Sequence, residues 1–239
     1  MKIPVTLFLL VLTLPLLFGA TGYADDNETP ASSPAPLLEE EEMRTKLPAP
    51  IYDSDVSLEE SLVKRRSVRD YTGEPLKLED VSQLLWAAQG VTADWGGRTA
   101  PSAGALYPLE VYVVVGSVKG LAAGVYRYDP KRHEVIMTAK GDIRPQLAGA
   151  ALEQDSVRDG AIDLVFTAVY KRTTGKYGAR GIQYVHMEIG HAAQNVCLQA
   201  TAMGLGAVTV GAFSDDKVSS LLNLPKEEKP LYIISVGRQ

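Results

Sequence analysis

Four short runs concentrate the residues able to do chemistry. The first is Arg65-Arg66-Ser67-Val68-Arg69. An extended chain would aim Arg65, Ser67 and Arg69 to one side and Arg66 to the other. A planar guanidinium can grip two phosphate oxygens at once, and a serine hydroxyl adds a short donor. Taken alone, the run describes a solvated basic turn more readily than a phosphate site. The second run, Pro101-Ser102-Ala103-Gly104-Ala105, is built of small residues that let backbone amides approach a flat ring edge. An ordinary loop ahead of a strand has the same composition. The third is Lys176-Tyr177. A desolvated lysine can act as a base, and a neighbouring tyrosine can donate or relay a proton. A surface loop would carry the same pair. The fourth is Gly204-Leu205-Gly206-Ala207-Val208-Thr209-Val210-Gly211. Its glycines follow a helical pattern and precede a strand pattern. That is the reverse of the dinucleotide-binding order, so a dinucleotide site is rejected.

Other chemistries fail on spacing. His186, Glu188 and His191 do not form a metalloprotease motif, and histidines five apart diverge by about 140° on a helix, so no metal site is expected. Tyr184 and Glu188, four apart, are neighbours on a helix that Arg180 opens. No nucleophile elbow, phosphate-binding Walker loop or cysteine pair occurs. Cys197 is the sole cysteine, so no intrachain disulfide forms and packing holds the fold. It lies in an apolar helical stretch and reads as a buried, inert thiol.

The elements that must position these runs follow from periodicity. Ser57 caps a helix over 57–64, with Glu60 placed for a capping box, and this helix delivers Arg65 and Arg66 at its end. Leu78, Val81, Leu84, Leu85 and Ala88 recur at three and four, which predicts a helix over 78–89. Strands are expected over 110–115, 162–169, 207–210 and 231–236, with a hairpin of 125–128 and 134–138 turning at Asp129-Pro130. Helices are expected over 143–152 and near 215–222. The longest is predicted over 182–203, where Ile182, Val185, Ile189, Ala192, Val196 and Ala200 keep a helical period. Strands and helices mix without strict alternation, which favours α+β over a doubly wound parallel sheet.

The 239 residues divide by composition. Lys2, the apolar run Ile3 to Phe18 and the small residues ending at Ala24 read as a signal peptide over 1–24. The protein is therefore expected to be exported, to a periplasmic or other extracytoplasmic space, with no stable membrane span after cleavage. Retention of the segment as an anchor is the alternative. Residues 25–50 hold five prolines and seven acidic residues against Arg44 and Lys46, and read as an acidic, Pro-rich linker. The remainder, 51–239, carries 21 basic and 22 acidic residues, without the basic excess of a nucleic-acid binder. It is long enough for one domain with its own core.

Taken in order, Arg65-Arg66-Ser67-Val68-Arg69-Asp70-Tyr71, the run Pro101 to Pro108, Lys176-Tyr177-Gly178-Ala179-Arg180-Gly181 and Glu188-Ile189-Gly190-His191-Ala192-Ala193-Gln194-Asn195 resemble the nitroreductase superfamily of FMN flavoproteins. Within it they resemble the branch that includes the azoline dehydrogenases of peptide tailoring. The resemblance runs from about Val56 to Gly237. It implies a nitroreductase-like α+β fold, a mixed central sheet with helices, and an interlocked homodimer with shared flavin sites. It assigns Arg65, Arg66, Ser67, Arg69 and Arg238 to the phosphate and ribityl end of FMN. Pro101, Ser102, Ala103 and Gly104, from the neighbouring subunit, are assigned to the flavin ring, as are the backbone groups of Val208, Thr209, Val210 and Gly211. Lys176 and Tyr177 are implied to be catalytic. The implied function is an FMN-dependent oxidoreductase moving a hydride between a small-molecule or peptide substrate and FMN. Alternatives are an NAD(P)H-dependent nitroreductase and a non-catalytic flavin-binding protein.

Overall fold

The run Leu109 to Val115 is apolar at nearly every position, so both of its faces must be covered. It forms strand β3 at the middle of a seven-stranded sheet. The computed structural model describes residues 43–239. The signal peptide expected over 1–24, and most of the linker, lie outside the described residues. The strands of the main sheet are β1 (Arg44–Lys46), β3, β5 (Gly124–Asp129), β6 (Glu134–Lys140), β7 (Ile162–Ala168), β8 (Leu205–Val210) and β9 (Lys229–Arg238). Their order is β1-β6-β5-β3-β7-β9-β8, and every neighbouring pair is antiparallel. The parallel component of the expected mixed sheet is confined to β2 (Leu76–Lys77) beside β4 (Val118–Lys119) and to a single bridge from Ser67 to Ala207.

Alternation along the central strands feeds two cores. Leu109, Val111, Val113 and Val115 join one cluster, with Val81, Leu84 and Leu85 of α2 (Leu78–Gln89). The same cluster takes Val185, Ile189, Ala192 and Val196 of α6 (Arg180–Ala202). Tyr112, Val114 and Val165 face the other way, onto α3 (Arg144–Ala150), α4 (Asp155–Asp159) and α7 (Asp215–Leu221). Helix α1 (Leu58–Lys64) packs on α6. The Ser57 hydroxyl accepts the Glu60 amide at 3.1 Å, so the N-cap forms. Glu60 turns instead to Lys64, so the reciprocal half of the capping box is replaced by an i,i+4 ion pair.

The fold starts earlier than the boundary expected at 51. Arg44–Lys46 pairs with Glu134–Ile136, and Leu47 is buried. Helix α2 then clamps the following backbone. Ser82 Oγ donates to the Pro48 carbonyl at 2.6 Å, and Gln83 exchanges two hydrogen bonds with Ile51, at 2.8 and 2.9 Å. Proline and acid content had marked these residues as linker. Partners distant in sequence satisfy their backbone groups instead.

Helix α5 (Lys171–Tyr177) was not expected, because its Thr173, Thr174 and Gly175 are poor helix formers. It packs against the start of α6 and ends at Gly178. Helix α6 begins two residues before the expected start, and its 23 residues span about 34 Å.

Candidate active site

Two groups of candidate residues form on α6, one toward each end. The first begins where α1 stops. The Arg65 amide closes the last turn on the Ser61 carbonyl at 2.9 Å, and the chain then runs extended beside β8. The Val68 amide donates to the Ala207 carbonyl at 3.0 Å. Tyr71 lies against Gly206 and Gly237, where an added Cβ would meet its ring at 3.3 and 2.7 Å. The Tyr71 hydroxyl stands 3.1 Å from both the Val68 and Ser235 carbonyl oxygens. This glycine-lined slot pins the segment to the sheet edge.

The arginines of this segment are left without acidic partners. Among the described residues, Arg44, Arg127, Arg132, Arg144, Arg158, Arg172 and Arg238 each hold a carboxylate. Arg65, Arg66 and Arg69 are in none of these ion pairs. Arg66 donates to the carbonyls of Val63 and Arg65, at 2.9 and 2.7 Å. Ser67 and Arg69 are exposed. Arg238 is placed differently. Its guanidinium meets Asp80 Oδ2 at 2.6 Å and lines a cavity of about 410 Å³ with Tyr71, Arg144 and Arg158. Of the β8 residues, Val208 and Val210 point into the second core and Thr209 is half-buried, while Gly211 follows the strand, exposed. The valines can therefore offer only backbone groups.

The second group surrounds the small-residue loop. Ala103–Ala105 is one turn of 3-10 helix in which Gly104 adopts φ +63°. A Cβ at Gly104 would stand 2.7 Å from Tyr177 Oη and 3.0 Å from Lys176 Nζ. The structure thus brings the loop and the Lys176-Tyr177 pair into contact within one chain. Lys176 is exposed, not desolvated as the sequence reading of a lysine base supposed, with Nζ 5.4 Å from the centre of the Tyr177 ring. Tyr177 meets Tyr184 edge to face at 5.1 Å, and Arg180 lies 5.6 Å over Tyr184. Asn195 donates to the Thr99 carbonyl at 3.3 Å and ties the approach to the loop onto α6.

Beneath the loop sits Glu188, 2% exposed. Its Oε1 is buried without a hydrogen-bond partner. Burial pushes its carboxyl up to about 7, against the opposing pull of the Ser102 hydroxyl and of Arg98. Arg98 donates to Gln89 Oε1 at 2.8 Å and stacks 4.3 Å over the Tyr107 ring, and its burial disfavours its charge. Neither Glu188 nor Arg98 was expected in the site from sequence. Glu188 had a signal: it is three residues after Val185 and four before Ala192, so it falls inside the buried stripe of α6. Arg98 had none.

The two groups draw on different stretches of α6. Leu58 and Ser61 of α1 share a cavity with Leu198 and Gln199, whereas Tyr184 and Glu188 line the cavity at the loop. Ten to fifteen residues of helix separate the two stretches, a rise of roughly 15 to 22 Å. Among the described residues no cluster of His, Cys, Asp and Glu could hold a metal ion, and no helix is long and apolar enough to cross a membrane.

An antiparallel sheet with helices on both faces and unpaired arginines along one edge is the scaffold of a family of oxidoreductases that are flavin-dependent in general. The Nitroreductase family model matches residues 62–238, and the chain belongs to that family. A nitroreductase-type protein of Methanocaldococcus jannaschii is 49% identical over 185 residues, 77% of this chain and 92% of its own length. A solved nitroreductase-type structure from Ralstonia eutropha superposes with a TM-score of 0.72 at 31% identity, covering 82% of this chain and 89% of that one. The chain is also similar to a component of the Escherichia coli microcin synthetase, solved with a truncated pro-microcin bound. There the TM-score is 0.63 at 25% identity, covering 89% of this chain and 85% of that one.

Proposed function

We propose that the protein is an exported FMN-dependent dehydrogenase that works as a homodimer on a small-molecule or peptide substrate. The observation that carries the reading is the convergence of Gly104, Lys176 and Tyr177. It sets a proton-handling pair directly against the small-residue loop. Two observations test whether the residues fit the cofactor. Arg65, Arg66 and Arg69 are cations without acidic partners, beside an exposed serine, and such a set suits a phosphate dianion. Gly104 has no Cβ and turns at φ +63°, so no side chain at that position screens the loop backbone from a flat ring. The residues fit FMN.

In this reading Arg65, Arg66, Ser67 and Arg69 hold the phosphate, and the backbone of Val208 to Gly211 faces the ring system. The two groups of the site lie apart on α6, which supports completion of each site by a second copy. When bound, FMN supplies a hydride acceptor and then passes the electrons to a second substrate. The chain's own work is positioning and proton transfer. A substrate oxidised at a C–H next to nitrogen loses a hydride and a proton, and Lys176 Nζ takes the proton. Tyr177 stands beside that amine, its ring centre 5.4 Å from Nζ. The peptide bound to the microcin synthetase supports a peptide-derived substrate class. The apolar run after Lys2 supports export.

The test begins with an absorbance spectrum of the protein reconstituted with FMN. Stoichiometric bands near ~370 and ~450 nm are expected for a bound oxidised flavin. Lys176→Ala is then expected to keep its flavin and lose turnover. Unchanged turnover would remove the base from the mechanism.

A further inference from the structure

The Pro101–Ala105 loop rests on a buried acid that the mechanism above does not use. Glu188 projects from the apolar face of α6 into the wall of a cavity of about 280 Å³, between Pro101–Ala103 and the side chains of Tyr184, Met187 and His191. One carboxyl oxygen has no partner. A buried polar atom left unpaired is costly, so such atoms mark sites where a proton, a water or a moving group is accommodated. Ser102 is the loop residue placed to respond. Its Oγ already accepts the Tyr107 amide at 2.9 Å, which leaves the hydroxyl proton free to donate, and Ser102 and Glu188 line the same cavity. The same loop turns at Gly104 onto Lys176 and Tyr177.

We propose that Glu188 is a positioning residue: acting through Ser102, it sets how closely the Pro101–Ala105 loop is held against Lys176 and Tyr177. The charged carboxylate accepts the Ser102 proton and draws the loop onto α6. The neutral acid is a weaker acceptor and lets the loop relax. The groups facing Glu188 define which way it titrates. From the segment before the loop comes Arg98, which favours the charge. On its own helix are Tyr184 and His191, lining the same cavity. From α5 come Lys176 and Tyr177, which touch the loop rather than the acid. Burial opposes the charge most strongly, so the exchange between the two states falls near neutrality. Loop placement is then graded by proton concentration in the range where an extracytoplasmic enzyme meets its surroundings.

The consequence for turnover rests on the flavin reading; the effect on the loop does not. The experiment is therefore amide hydrogen exchange of 102–107 in the full chain, with and without added FMN, normalised for intrinsic exchange between about pH 6 and pH 8. Wild-type protein is expected to gain protection in this loop as pH rises. Glu188→Gln should lose that pH dependence and stay at the low-pH level. Glu188→Asp, which keeps the carboxyl, should restore a pH-dependent profile with a displaced midpoint. Ser102→Ala leaves the buried acid in place and removes the donor, and should flatten the profile as Glu188→Gln does. Matching profiles for wild type and Glu188→Gln, or for wild type and Ser102→Ala, would overturn the proposal. Failure of FMN to bind while the pH-dependent protection persists would sink the flavin reading and leave Glu188 in its role.

Discussion

Two sets of arginines are treated in opposite ways. On the face of α3 and α4, Arg144 is chelated by Asp142 and Arg158 by Glu153 and Asp155. On the face of α1 and α6, Arg65, Arg66 and Arg69 are left out of every ion pair found among the described residues. Exposed ion pairs add little to stability, so pairing on the first face is not what holds the fold. Its effect is to silence charge. The second face leaves charge available, within one short segment pinned by Tyr71. Availability, more than the number of basic residues, separates a binding surface from a solvated one.

The comparison can be broken most directly at the open face. Replacing both Arg65 and Arg69 by Ala is expected to weaken FMN binding by about 3 kcal/mol or more, since each hydrogen bond to a charged group is worth roughly 1.5–3 kcal/mol. Flavin titration by fluorescence reads this out. Arg158→Ala, which breaks exposed pairs with Glu153 and Asp155, should leave both flavin affinity and melting temperature essentially unchanged. Equal effects from the two replacements would erase the distinction between the two sets.

A second, smaller effect concerns the loop group. Glu188 is raised above its ordinary value, so the folded chain keeps a proton that the unfolded chain releases between pH ~4.5 and ~7. In that window the unfolded state binds fewer protons, and stability falls as pH rises. Glu188→Gln removes this loss. It should match wild type at about pH 4 and exceed it at about pH 8 by on the order of 2 kcal/mol, read from denaturant midpoints at each pH. The smallest effect is steric. Gly104→Ala places a methyl against Tyr177 at a positive φ, and should lower stability by about 1 kcal/mol while displacing Lys176.

Much of the framework was legible where local pattern and tertiary burial agree. The stripe of Leu78, Val81, Leu84, Leu85 and Ala88 reads as a helix, and α2 occupies those residues. Asp129-Pro130 reads as a turn, and β5 and β6 meet there. Where partners far away decide, sequence is silent. Strand β1 has three polar or charged residues and exists because β6 offers an edge. Helix α5 carries two threonines and a glycine and exists because α6 packs against it. The candidate residues themselves are visible as runs of chemical types. Their grouping is not: nothing in the order of the chain says that Gly104 touches Tyr177, or that α1, which delivers Arg65, packs beside Leu198 and Gln199 of α6.

That length of helix has a further consequence if two copies share each site. A mixed pair, one copy damaged at Arg65 and the other at Lys176, would concentrate both lesions in one of its two sites and leave the other whole. Two dead proteins would make a half-active one. Defects in this chain would then behave in combination as members of two complementation groups, with α6 as the boundary between them.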